Sequence, residues 1–370
     1  MREDWGLTPY QTAMLTLALV GGTSVIVLPS ILAAYAGQTA WLSALLPLPA
    51  GLLPLVIWRD LDRRLPGLTL LEQARAVLGP AGSIPVGAGL IALFASVCPA
   101  ILRQFADLIS AEALPRTPEI VVLGLMMVVP LYGVRQGPEV VARLAEILVP
   151  LAVGALVILG SAGLKDVVFN HLRPFMAQGP GPVLQGSLEA AAWYAETALL
   201  TLLLPFHGYG RRLAITGAVA GLLIAAGLTA VTTAWTVAVL GPLAGRVTFP
   251  IFQVTRVTSV AKFLTHLDSM LVVAWVAAGF VKTAVWFYAL CTAVAATVGL
   301  RDYRPLTVPL AGLVVVGAMT WWASSAQLTG WVFHDWVFWG LSLELGIPAA
   351  VWIGALVRAK APRAGRVTAP

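Results

Sequence analysis

From Leu7 to Ala36 the chain runs for thirty residues without one charged side chain. A helix needs about 20 consecutive apolar residues to cross the hydrocarbon core of a bilayer, so this stretch alone calls for lipid. Comparable runs recur along the whole sequence, punctuated by connections rich in Gly, Pro and Arg. They are continuous and long, whereas the strands of a membrane β-barrel alternate polar and apolar residues in segments of about ten. Only 11% of the residues are charged, against roughly a quarter in a soluble domain. The sequence therefore describes an all-α membrane protein whose surface is solvated mainly by lipid, with no length to spare for a soluble catalytic domain. The first run follows Arg2, Glu3 and Asp4 and is too long for a signal-peptide core, so it is expected to be a retained helix.

Hydropathy with Gly/Pro punctuation predicts ten transmembrane helices at 8–36, 40–58, 83–109, 118–133, 139–160, 185–206, 211–240, 268–297, 304–323 and 335–357. The connection 59–82 is expected to hold a short amphipathic segment, and 241–267 a surface helix. With the N-terminus inside, fifteen Lys and Arg residues fall on the cytoplasmic side and six on the other, a bias that places both termini in the cytoplasm, including the tail 358–370. The whole of 1–370 then forms one transmembrane domain. The ten helices divide into two sets of five, 8–160 and 185–357, that enter from opposite sides, the hydropathy signature of an inverted repeat. Such repeats often break their first helix around a site, and Gly21-Gly22-Thr23-Ser24 followed by Pro29 predicts a discontinuous first helix here. The sixth helix has neither Gly nor Pro between Ser187 and Leu204, and no break is visible in it.

Few ionisable residues lie within these spans. Glu196, Lys282 and Glu344 fall near the middle of the sixth, eighth and tenth helices, and Arg103 lies toward the outer end of the third. A charge at mid-bilayer costs at least about 3 kcal/mol on insertion scales, so such residues face a polar interior and a partner. Arg103 is expected to snorkel or to pair with Asp107, four residues on. Lys282 is too deep to snorkel and either pairs with Glu196 or Glu344 or lines an ion pathway with them. Glu196, beside Trp193, Tyr194 and Thr197, has the surroundings to bind a ligand ammonium or to carry a proton.

Several chemistries find no support. His171, His207, His266 and His334 are far apart and lack metal-binding spacing, Cys98 and Cys291 sit singly in apolar spans, and no phosphate-binding glycine loop occurs. No metal, cofactor or catalytic residue is expected, nor an enzymatic activity. The net charge of +6 is assigned to basic residues on cytoplasmic loops; no nucleic-acid partner is expected. Gly217 and Gly221 have the small-xxx-small spacing of a helix contact.

The segment YGVRQGPEVVARLAEILVP, Tyr132 to Pro150, resembles the cytoplasmic connection and fifth helix of the B subunit of spore germinant receptors, a family within the amino acid–polyamine–organocation transporter superfamily. Leu7 to Ser30 is similar to that family's first helix, Glu196 with Leu204-Pro205-Phe206 to its sixth, and Phe249 to Ala289 to its re-entrant connection and eighth helix. His266 stands where the family usually has arginine. Within the first segment Glu139 and Arg143 also have the spacing of a helical ion pair.

The resemblance implies a nutrient-sensing subunit in the inner membrane of a dormant spore. It would bind a small ligand, typically an amino acid, and act with a larger A subunit and a lipoprotein C subunit. The ligand would lie between the first, third, sixth and eighth helices, against Gly21, Gly22, Thr23 and Ser24, then Phe94, Val97 and Cys98, then Glu196 and Thr197, and finally Lys282 and Thr283. In many relatives sodium sits between the first and eighth helices, where Lys282 would place a fixed charge, so binding is expected to be sodium-independent. An amino-acid secondary transporter and an ion-conducting subunit, the latter with Glu196, Lys282 and Glu344 along its pathway, are the alternatives.

Overall fold

Thr8 and Pro9 start the first helix. The Thr8 hydroxyl accepts from the Gln11 amide at 3.0 Å while the Gln11 side chain accepts from the Thr8 amide, a reciprocal cap that satisfies two end donors. The resulting helix α1, Pro9–Ala36, stops at Gly37, whose φ of +51° suits a residue without Cβ. This computed structural model describes residues 6–204, 207–257 and 267–360. Eight more helices follow in register with the sequence expectation: α2 Leu48–Arg64, α3 Leu70–Glu112, α4 Glu119–Gln136, α5 Pro138–Ala162, α6 Gly181–Ala195, α7 Arg211–Leu240, α8 Leu267–Val298 and α9 Arg304–Thr320. The last helical stretch is segmented. A short turn Ser325–Gly330 and a π-helical turn Trp331–Asp335 lead into α10, Trp336–Glu344, and α11, Gly346–Lys360.

Among the described residues, seven helical stretches are long and apolar enough to cross a membrane. Arg304–Thr320 is apolar but shorter. The second expected span is helical in two pieces, Ala40–Ser43 and α2, with Pro47 in the turn between them and Pro49 in the first turn of α2. The sixth is shortened by a change of helix type described below. The expected amphipathic segment in 59–82 is the start of α3, capped by Thr69 and Glu72 and kinked at Gly79, whose φ is +78°. In the 241–267 connection a short helix spans Pro250–Val257, while 258–266, with His266, lies outside the described residues, as do Pro205 and Phe206.

α1 is the axis of the molecule. Every residue from Gln11 to Leu32 is buried, and its longest packing face lies on α7. A Cβ on Gly217 or Gly221 would overlap the backbone oxygens of Pro9 and Ala13, so these two glycines let the helix backbones approach. α1 also packs on α5, α6 and α8 and touches the turns Gly241–Arg246 and Glu196–Leu202. The expected break in α1 is not present: the helix is continuous through Gly21, Gly22, Thr23, Ser24 and Pro29. The glycines are used for clearance instead. A Cβ on Gly22 would stand 3.0 Å from Cδ of Lys282, so its absence lets the lysine stem lie across the helix. The hydroxyls of Thr23 and Ser24 bond to neighbouring helices and are not needed to satisfy a broken backbone.

The interruption lies in the sixth helix. After Ala195 the chain tightens into a 3-10 helix over Glu196–Leu202, although no glycine or proline marks the place. Thr197 donates to the Gly51 carbonyl of α2 at 2.7 Å and Thr201 to the Ala198 carbonyl at 2.6 Å. Such side-chain bonds to backbone compete with the α-helical ladder, and one of them ties this turn to another helix.

Candidate functional site

Lys282 is fully buried on α8, and its ammonium is held at the change of helix type in the sixth helix. Nζ donates to both Glu196 oxygens, at 2.9 and 2.7 Å, and to the Thr23 hydroxyl of α1 at 2.8 Å. All three ammonium protons are thereby spent. The Trp193 indole also donates to the Thr23 oxygen, at 3.2 Å. Both charged side chains are almost wholly sequestered, 1% and 2% exposed. In so dry a setting neither charge is tolerable without the other. Of its two expected partners, Lys282 pairs with Glu196.

Glu344, at the end of α10, is 1% exposed and lies within electrostatic reach of both members of the pair. Neither of its carboxylate oxygens has a hydrogen-bond partner among the described residues. Around this group of charges stands a wall of aromatic rings. Phe94 meets Trp286 edge-on at 5.8 Å, Trp286 meets Trp336 at 6.3 Å, and Trp336 meets Trp193 at 6.3 Å. Of these rings the sequence points to Trp193, as a neighbour of Glu196, and to Phe94, but not to Trp286 or Trp336, because a Trp in an apolar span reads equally well as lipid-facing or as core. Their spacing within the spans gave no further signal.

The other expected lining residues divide. Ser24 shares a 3.0 Å hydrogen bond with Thr229 of α7, and Thr197 faces α2, so both hydroxyls are engaged away from the pair. Gly21 lines a dry crevice against α5 with Val149 and Ala152. Val97, Cys98 and Thr283 are buried, and the Thr283 hydroxyl has no partner among the described residues. Arg103 is buried too and does not snorkel. It pairs with Asp107 at 2.9 Å and with Glu119 at 2.7 Å and donates to the Ala318 carbonyl at 3.0 Å. This cluster pins α3 to α4 and α9, apart from the Lys282 site. The expected Glu139–Arg143 pair is present at 2.5 Å.

Two cavities approach the buried charges from opposite ends. One, of about 640 Å³, is lined by Val27, Gln104, Asp107, Arg246, Phe249 and Phe333. A crevice of about 10 Å³ shares Val27, Gln104 and Phe249 with it and reaches Thr23. At the other end a cleft of about 280 Å³ lies among Glu72, Leu90, Leu202, Arg301 and Asp302. A second crevice of about 10 Å³ shares Leu90 and Leu202 with this cleft and touches Phe94 and Glu344. The first half-path thus ends at Thr23, which accepts from Lys282, and the second at Glu344, so one lies on either side of the pair.

This helical arrangement is a fold shared with solved solute transporters. Over 95% of this chain and 90% of the other, it superposes with a TM-score of 0.67 on a Na+-coupled sialic acid symporter in a substrate-bound outward-open state, at 12% identity. MhsT, solved in complex with L-phenylalanine, matches with a TM-score of 0.60 at 15% identity, over 96% and 99% of the two chains. Such identities speak for the fold alone. In sequence, residues 6–326 match the model of the spore germination protein family, and the chain belongs to that family. Spore germination protein KB of Bacillus subtilis is 29% identical over 72% of each chain. Spore germination protein XB of Bacillus anthracis is 28% identical over 46% of this chain and 47% of its own.

Proposed function

We propose that this protein is the membrane-embedded nutrient-sensing subunit of a spore germinant receptor, and that its ligand is a small amino acid. The carrying observation is the Glu196–Lys282 pair. A closed salt bridge at the change of helix type mimics the two charged ends of a zwitterion. An amino acid takes its place by offering its carboxylate to Lys282 with Thr23 and its ammonium to Glu196. Exchange of one set of contacts for another gives the ligand differential affinity for two helix arrangements, which is the requirement for a switch. Free Glu196 and Lys282 would be costly, so the internal pair holds the ligand-free state closed.

In this reading the ten helices cross the spore inner membrane as two inverted sets of five, with both termini in the cytoplasm. The A subunit and the lipoprotein C subunit respond to the change in helix arrangement. Lys282 occupies the place of a coupling cation, so binding needs no sodium. Labelled amino acids offered to liposomes containing only this chain test the proposal. Saturation near one label per protein, lost in Glu196→Gln and unaffected by replacing sodium, is the expected result. The half-paths on either side of the pair favour a second reading, a secondary transporter with alternating access. Accumulation far above one label per protein, abolished by an ionophore, would establish that reading and displace the first.

A further inference from the structure

The charges buried around Lys282 do not balance. Lys282 spends its three protons on Glu196 and Thr23, and Arg103 is held by Asp107 and Glu119. Glu344 is left with two carboxylate oxygens that have no partner among the described residues, in a place that is 1% exposed. An ionised carboxylate so placed is costly unless a cation joins it. The surroundings supply oxygens for one. The crevice that touches Glu344 is also lined by Thr201 and Pro348. Thr201 gives its proton to the Ala198 carbonyl, which leaves its oxygen free to act as an acceptor. Pro348 has no N–H to return to the Glu344 main-chain carbonyl four residues before it, and the helix is interrupted between Glu344 and Gly346. The crevice has room for about one water-sized group, and it shares Leu90 and Leu202 with the cleft that opens at Arg301 and Asp302.

We infer that Glu344, with Thr201 and the interrupted helix end, forms a site for one compact monovalent cation, an alkali ion or an ammonium group, reached from the Arg301 cleft. Hard oxygen donors suit both, and the crevice is too small for a larger organic cation. This site is distinct from the Lys282 place between α1 and α8, so it is compatible with sodium-independent binding of a nutrient at the pair. It is tested without any amino acid, so its failure leaves the proposed function standing, and the reverse also holds.

The experiment follows the thermal unfolding midpoint of the full chain in lipid nanodiscs. The only small cation is replaced in turn by sodium, potassium or methylammonium chloride against N-methylglucamine chloride at constant ionic strength and pH. A ligand that binds only the folded state raises the midpoint saturably. The expected result is such a rise for at least one cation, lost in Glu344→Gln and retained at higher concentration in Glu344→Asp. A rise with sodium or potassium identifies an inorganic ion, and a rise with methylammonium alone identifies an ammonium group. If Glu344→Gln does not fold, the wild-type response and its shift in Glu344→Asp decide the matter. A wild-type midpoint indifferent to all three cations, or a saturable rise unchanged by Glu344→Gln, would overturn the inference.

Discussion

The strongest energetic demand in this molecule is the Glu196–Lys282 pair, and a double-mutant cycle measures it. In Lys282→Met, Glu196 loses both of its contacts to the ammonium, at 2.7 and 2.9 Å, and Thr23 loses one at 2.8 Å. In Glu196→Gln the ammonium keeps Thr23 but faces a neutral amide. Removing one partner of a buried pair costs about 3–5 kcal/mol, because the other charge is left uncompensated, whereas replacing both is often close to neutral. Each single variant is therefore expected to lose about 3–5 kcal/mol, and the double variant less than either. The assay is reversible unfolding in mixed micelles, followed by tryptophan fluorescence, since Trp193 and Trp286 border the pair. Residues in contact show coupling energies of about 0.5–3 kcal/mol, and a tightly sequestered pair belongs at or above the upper end. If the double variant loses the sum of the single losses, the two side chains do not interact in the folded protein, and both the site geometry and the proposed zwitterion exchange fail.

Other substitutions probe the supports of the site. Gly22→Ala places a methyl 3.0 Å from Cδ of Lys282 and 3.2 Å from its Cβ; overpacking of this kind costs about 1–3 kcal/mol. Gly227→Ala meets nothing within 4 Å and is expected to be neutral or to gain up to about 1 kcal/mol, so equal behaviour of the two in the same unfolding assay would contradict the packing of α1 on α8. Arg103→Met leaves Asp107, 16% exposed beside the larger cavity, without its partner and is expected to cost about 1–3 kcal/mol, a loss that the same titration reads. At the Arg-rich end of α2, beyond the expected span, bonds from Arg64 and Trp352 hold the Asp60 carboxyl below the usual carboxylate range. A carboxyl lowered in the folded state adds stability above its unfolded value and loses it as pH falls through the folded value. Asp60→Asn should therefore be less stable than the parent at neutral pH, by no more than about 1 kcal/mol for so exposed a pair. Melting curves should show that difference vanish on acidification.

Much of this architecture is written in residue types. Gly37, Gly79 and Gly241 have positive φ at helix ends or kinks, which is why punctuation located the elements well. Lys282 and Glu196 were conspicuous because a lone charge in an apolar run must find a partner. What the sequence conceals follows from tertiary contact. Gly21 and Gly22 resemble a helix break, yet they serve close packing, and nothing local distinguishes the two uses. The real change of helix type at Glu196–Leu202 has no breaker residue, and its cause includes the bond from Thr197 to Gly51, 146 residues away in the chain. The orphaned state of Glu344 is equally invisible, because it depends on which of two acids Lys282 meets.

The burial of α1 from Gln11 to Leu32 has a consequence for how the protein is made. A helix enclosed along this length has no face adapted to remain against lipid, yet it is synthesised before the helices that enclose it. The two glycines that receive its backbone, Gly217 and Gly221, belong to α7 and are synthesised only after six other helices. Until then α1 must rest in the bilayer with Thr12, Thr16, Thr23 and Ser24 lacking their final surroundings, and the Gly22 groove must wait longer still for Lys282. Biogenesis of this protein is thus a matter of holding the opening segment in a provisional place and then drawing it inward, so the centre of the finished molecule is assembled last.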